Sequence, residues 1–188
     1  MTLHVRPSLS FALTAIAALG LAACGGSDSA TEVLPPPPPP PTTLTGHVML
    51  NAAVKNAVVC LDLNSNGACD ASEPASAKTG ADGAYTVTLD QGFDVERLKG
   101  LSLVALQVPG SVDDGKATID AADPTKPSTQ KPYVLRQAPG KAGQINPLTS
   151  LVAAGVAAGM TEQKSRANVV AQLGLTGEAA IDDYQADP

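Results

Sequence analysis

Apolar positions fall into three regimes along the chain. A mostly apolar run covers residues 11–21, a polar and then proline-rich stretch follows, and from residue 44 short apolar runs alternate with turn residues. Residues 44–50, 57–63, 84–89 and 101–108 each read as a strand bounded by turn formers. Period two is clearest in the third. Tyr85, Val87 and Leu89 share one face and Thr86 and Thr88 the other, as in a strand with one buried side. Asp82-Gly83 just before it signals a tight turn. Short strands at this spacing predict a small antiparallel β-sandwich. Residues 111–131, rich in Asp, Gly, Pro, Ser and Thr, read as a long connection, and residues 133–136 as one further strand.

The period then lengthens. Asn146-Pro147 reads as an N-cap followed by proline at the first helical position, and Leu148, Leu151, Val152 and Val156 repeat on one helical face. This helix should end near Gly159. Thr161 can cap a second helix, whose Val169, Val170 and Leu173 precede a Gly174 stop. The resulting hairpin either docks on the sandwich or begins a further domain. The expected class is therefore mainly β, with a short α-helical hairpin after the sandwich.

The first region has a different purpose. A short start carrying Arg6, the apolar run, and the small residues Ala22 and Ala23 make a secretory leader too short to span a membrane. Leu21-Ala22-Ala23-Cys24 resembles the lipobox of bacterial lipoproteins. That resemblance implies cleavage before Cys24, with diacylglycerol and fatty acyl groups added to it. Several acyl chains, at ~0.8 kcal/mol per buried CH₂, would make attachment effectively permanent. Gly25 after the cysteine resembles the signal for outer-membrane retention. Seven consecutive prolines, Pro35 to Pro41, then form a disordered but extended spacer of about 22 Å at ~3.1 Å per residue. The organisation expected is a signal peptide over 1–23, a lipidated polyproline tether over 24–43, the sandwich over 44–140, and a helical hairpin with an acidic tail over 141–188.

Charge narrows the partners. Twelve Lys and Arg against eighteen Asp and Glu give a net −6; the leader holds one Arg and no acid, so its removal leaves −7. With the basic residues scattered, nucleic acid is excluded as an expected partner. Lipidation of Cys24 leaves Cys60 and Cys69 as an even pair, which an oxidising envelope should join. Such a bond stabilises by about 2.5–3 kcal/mol on the chain-entropy account.

Between those cysteines begins the sharpest motif. Asp62-Leu63-Asn64-Ser65-Asn66-Gly67-Ala68-Cys69-Asp70-Ala71-Ser72-Glu73 fits each fixed position of the twelve-residue calcium loop. Asp62, Asn64 and Asn66 would offer side-chain oxygens, Ala68 its carbonyl, Asp70 an oxygen directly or through water, and Glu73 both carboxylate oxygens. The flanks do not suit an EF-hand. Val58-Val59-Cys60-Leu61 is strand-like where a helix should enter, and Pro74 biases Glu73 away from helical geometry. The expectation is a Ca²⁺ loop between strands, binding weakly at ~10⁻⁴–10⁻³ M because only three ligands are charged. The competing reading is a polar turn held by the disulfide alone. Asp113, Asp114, Asp120 and Asp123 read as an acidic, solvated loop in preference to a second cation site.

Followed by Thr79-Gly80-Ala81-Asp82-Gly83-Ala84-Tyr85 and preceded by Gly46-His47-Val48, this loop resembles the B-type repeats of bacterial surface adhesins and carboxypeptidase regulatory-like domains. Both are transthyretin-like β-sandwiches. The resemblance covers roughly residues 44–108 and implies a stalk, spacer or binding module, with calcium stiffening the fold. The cysteine pair departs from the adhesin pattern. Residues 146–152 are similar to a segment of uncharacterised proteobacterial lipoproteins, which brings no activity with it.

No catalytic constellation accompanies these features. His47 is the single histidine beyond the leader, no Gly-x-Ser-x-Gly elbow occurs, and the cysteines are too far apart for a Cys-x-x-Cys redox pair. The expectation is a non-enzymatic envelope protein on the outer membrane or cell surface. It would meet the membrane through its lipid and an unknown envelope or extracellular protein or glycan through its sandwich. The alternative is an accessory module of a larger surface enzyme or substrate-binding protein truncated at residue 188.

Overall fold

The computed structural model describes residues 40–183. The leader, Cys24, nearly all of the proline tether and residues 184–188 of the acidic tail lie outside the described residues. Eight strands occur in chain order: β1 Thr43–Val48, β2 Val54–Lys55, β3 Val58–Asp62, β4 Ala84–Thr88, β5 Ser102–Gln107, β6 Ile119–Asp120, β7 Tyr133–Arg136 and β8 Gly143–Ile145. A 3-10 helix, Val95–Gly100, precedes β5; α1 Pro147–Ala157, α2 Glu162–Leu173 and α3 Ala179–Asp182 close the described part. Strand and helix are present in comparable amounts, so the mainly β expectation gives way to a mixed one. The reason is that most of the described region after residue 146 is helical while several strands are only two or three residues long.

The strands form two three-stranded sheets, β4-β1-β8 and β3-β5-β7, and a two-stranded ribbon, β2-β6. All pairings are antiparallel except β1 with β8. Both three-stranded sheets feed one core: Val48, Val87 and Ile145 from the first meet Val59, Leu61, Leu103, Ala105 and Leu135 from the second. In β4, Tyr85 and Val87 are buried and Thr86 and Thr88 exposed, the alternation that period two requires.

The Thr-x-x-Asp-Gly-x-Tyr segment has a local physical explanation. Thr79 is buried, its hydroxyl accepting from Ala57 N at 2.9 Å and donating to Val54 O at 2.6 Å, which fastens the β2–β3 turn. Asp82 accepts from Ala84 N at 3.1 Å, an Asx turn leading into β4. Tyr85 donates its hydroxyl to Gly143 O at 2.9 Å and so ties β4 across β1 to β8. Burial pushes the Tyr85 phenol well above its usual range. Gly46 makes that three-strand arrangement possible, because a Cβ there would lie 1.8 Å from Gly143 O.

Residues 111–131 are less solvated than their composition suggests. Asp120 is buried, and its carboxylate accepts from Asn51 N, Asn51 Nδ2, Ala52 N and Ala122 N at 3.0–3.1 Å. One carboxylate thereby ties the turn at residues 51–52 to the turn that follows β6. Asp123 instead pairs with Lys126, and Asp113 and Asp114 are exposed, so the four acids do not act as a group.

Asn146 organises the helical part. It caps α1 by accepting from Thr149 N at 2.8 Å while Thr149 Oγ1 accepts from Asn146 N at 2.9 Å, and Pro147 follows at the first helical position. Its amide also donates to Ile181 O at 2.9 Å, joining the start of α1 to α3. Thr161 caps α2 and Gly174 ends it in the left-handed region. Ala138, Val152, Val169 and Ile181 form a second, smaller core between these helices and the strand layer. Arg166 on α2 binds Glu178 at 3.0 Å and Asp182 at 2.6 Å, holding α3 down.

Asn146→Ala removes a capping box and a buried tertiary hydrogen bond together. The expected cost is about 2–3 kcal/mol, read as a lower urea midpoint with an unchanged slope; an unchanged midpoint would remove Asn146 from this role.

Candidate metal loop

Residues 62–73 leave the end of β3 and return to it. Ala75 pairs with Cys60, Leu61 N donates to Pro74 O at 2.9 Å, and Ser76 N donates to Val59 O at 2.8 Å. The loop is thus closed at its base by backbone hydrogen bonds, with a strand entering it and no helix leaving it. Inside this base the Cys60–Cys69 disulfide joins β3 to the eighth loop position, with the two Cα atoms 5.7 Å apart.

The loop folds around its own oxygens. Asp62, 3% exposed, accepts from Asn66 N at 3.2 Å and Gly67 N at 2.8 Å. Asn64 Oδ1 accepts from Asn66 N at 3.0 Å, and Asn66 Oδ1 from Ala68 N at 2.8 Å. Alternate side chains therefore turn their oxygens inward onto successive backbone N–H groups, the short-range chemistry that favours Asp and Asn in turns. Gly67 has φ +74°, a conformation costly for any residue with a Cβ, and a Cβ there would also fall 1.6 Å from Arg136 Nη2.

The remaining acids take different partners. Asp70 Oδ2 accepts from Asn64 Nδ2 and Asn66 Nδ2, each at 2.8 Å. Glu73, 7% exposed, accepts from Leu63 N at 2.7 Å and Asp70 N at 3.0 Å. Among the described residues, none of the three acids has a Lys or Arg within ion-pair distance. Nor do any three His, Cys, Asp or Glu side chains among those residues converge closely enough to hold a metal. Asp70 thus accepts from side-chain amides and Glu73 from backbone N–H groups. A cation drawing the six expected ligands together would have to turn the two Asn amides and release Glu73 from at least one N–H.

Sequence reasoning missed Arg136. It stands at the end of β7, and its guanidinium lies over Gly67, donating to Gly67 O at 3.4 Å. Its backbone is clamped by the start of α1: Arg136 N donates to Ser150 Oγ at 2.9 Å and Arg136 O accepts from Thr149 Oγ1 at 2.9 Å. One residue thus connects the loop to the helices. Only its place at the close of a short strand was visible beforehand. His47, by contrast, is exposed on β1.

No family model, curated protein or solved structure matches this chain. Among the described residues no helix is long and apolar enough to cross a membrane.

Gly67→Ala should destabilise by at least ~1–2 kcal/mol through the backbone alone, with a further loss as Arg136 is displaced. Thermal unfolding checks this: a melting temperature equal to that of the parent would mean that the loop tolerates another conformation.

Proposed function

We propose that the protein is a non-catalytic, lipid-anchored component of a bacterial envelope, presenting a calcium-stabilised β-sandwich as a structural or adhesive module. One observation carries the calcium part. Two buried carboxylates, Asp62 and Glu73, sit in one loop with Asp70, and among the described residues none of the three has a Lys or Arg within ion-pair distance. Buried negative charge is costly unless a positive charge or several donors offset it. Backbone N–H groups supply part of that compensation, and a hard divalent cation would supply the rest. The donor set fits Ca²⁺, being entirely oxygen: Asp62, Asn64, Asn66, the Ala68 carbonyl, Asp70 and Glu73.

The shared core of the two three-stranded sheets supports the sandwich reading. In that reading the disulfide and the ion act on the same segment. The disulfide limits how far the loop can open, and the ion fixes its interior. Calcium in this position stiffens the end of the sandwich rather than activating a substrate. Membrane attachment rests on Leu21-Ala22-Ala23-Cys24 and its outer-membrane assignment on Gly25, and the proline run would serve as an extended tether. The partner class is an envelope or extracellular protein or glycan.

Two experiments test the proposal. Calcium at millimolar concentration should raise the melting temperature of the parent protein and leave that of Asp62→Ala unmoved; equal shifts in the two would place the effect elsewhere. In a bacterial host, Cys24→Ser should move the protein from the membrane fraction to the soluble envelope fraction. A processed yet membrane-bound variant would refute the lipid anchor.

A further inference from the structure

Between the loop and α1 lies an open cavity of about 260 Å³. Its polar lining includes Arg136, Ser65, Ser102 and Asp62, and its apolar side includes Ala153 and Val156. We propose that this cavity binds a small monocarboxylate, with the carboxylate on the Arg136 guanidinium and a short aliphatic chain against Ala153 and Val156.

A guanidinium carries five N–H donors in a planar fork shaped for a carboxylate. Arg136 is half-buried, yet its side chain makes one hydrogen bond among the described residues, to Gly67 O at the long distance of 3.4 Å, and has no carboxylate within ion-pair distance. The other enclosed arginine is treated differently, since Arg166 meets Glu162, Glu178 and Asp182. A partly desolvated cation with spare donors at the wall of a cavity is poised for an anion.

The surroundings select the kind of anion. At ~30 Å³ per water, the space holds on the order of eight or nine waters, which is the size of a short-chain carboxylic acid. Ser65 and Ser102 line the same space and each brings a hydroxyl to it. Asp62 also borders the space, but both its oxygens accept backbone N–H groups and it is 3% exposed. Its charge works against dianions more than monoanions, so phosphate and dicarboxylates should bind less well. This site does not require calcium in the adjacent loop. Because the Arg136 backbone is fixed by Thr149 and Ser150, its side chain can be changed without releasing α1.

Hexanoate is the probe, followed by isothermal calorimetry on the full chain with EDTA and, separately, with Ca²⁺. Saturable one-to-one binding is expected in both conditions, weakened about tenfold or more in Arg136→Gln and partly retained in Arg136→Lys. Val156→Phe, which fills the apolar side and keeps the charge, should abolish it. Circular dichroism confirms that each variant is folded. Hexanoate binding that is absent in the parent, equal in Arg136→Gln, or no stronger than inorganic phosphate binding would overturn the proposal. Binding seen with EDTA but no calcium effect on stability would leave this site standing while the calcium reading fell.

Discussion

A carboxylate buried at the end of a strand has to find donors, and Asp62 finds them by bending the chain that follows it. Its two oxygens take the N–H groups of Asn66 and Gly67, which forces a reversal within five residues and places Gly67 in the left-handed region. The same demand recurs at the other end of the loop, where Glu73 captures Leu63 N and Asp70 N. The excursion is therefore closed twice, once around each buried acid, and the Cys60–Cys69 bond crosses it between them. Because the turn admits no side chain at position 67, the guanidinium of Arg136 can lie directly on it. Through the Arg136 backbone, the position of the loop is passed to Thr149 and Ser150 on the first turn of α1.

Polar residues rather than apolar bulk fix the relative placement of the elements elsewhere as well. Few aromatics are available, and the helical region contributes only a small second core. Buried Thr79 and Asp120 each satisfy two backbone groups from distant segments, and Asn146 satisfies one distant and one neighbouring group. Satisfying a buried polar group in more than one direction narrows the geometries that the chain can adopt, because leaving any one bond unmade costs its full desolvation. In a chain this sparing of large side chains, such residues supply specificity that packing alone would not.

Which parts were legible follows from the range of the forces involved. The face of β4 was visible because period two reports directly on burial at Tyr85 and Val87. The limits of α1 and α2 were visible because Asn146, Thr161 and Gly174 act on neighbouring backbone groups. β8 left no such trace: it is three residues long, includes Gly143 and Gln144, and exists because Gly46 lets it approach β1. Asp120 looked like a solvated acid, since nothing local announces that Asn51 and Ala52 will fold over it from about seventy residues away. In the loop, the residue types and spacing of the oxygen donors could be read, whereas the turning of Asn64 and Asn66 amides toward Asp70 depends on competing hydrogen bonds that spacing does not encode. Arg136 was missed for the same reason, as its importance comes from what crosses above Gly67.

On the reading proposed above, calcium would gather these oxygens into one site by taking Glu73 away from backbone donors. Amide resonances report this directly, since Leu63 N–H and Asp70 N–H are the groups that Glu73 now holds. In a ¹⁵N-resolved calcium titration of the parent protein, both amides and those of Asn66 and Gly67 should shift together and saturate at millimolar concentration. Loop amides that stay in place at saturating calcium, while the rest of the spectrum is that of a folded protein, would contradict the claim and leave the loop as a turn held by its disulfide.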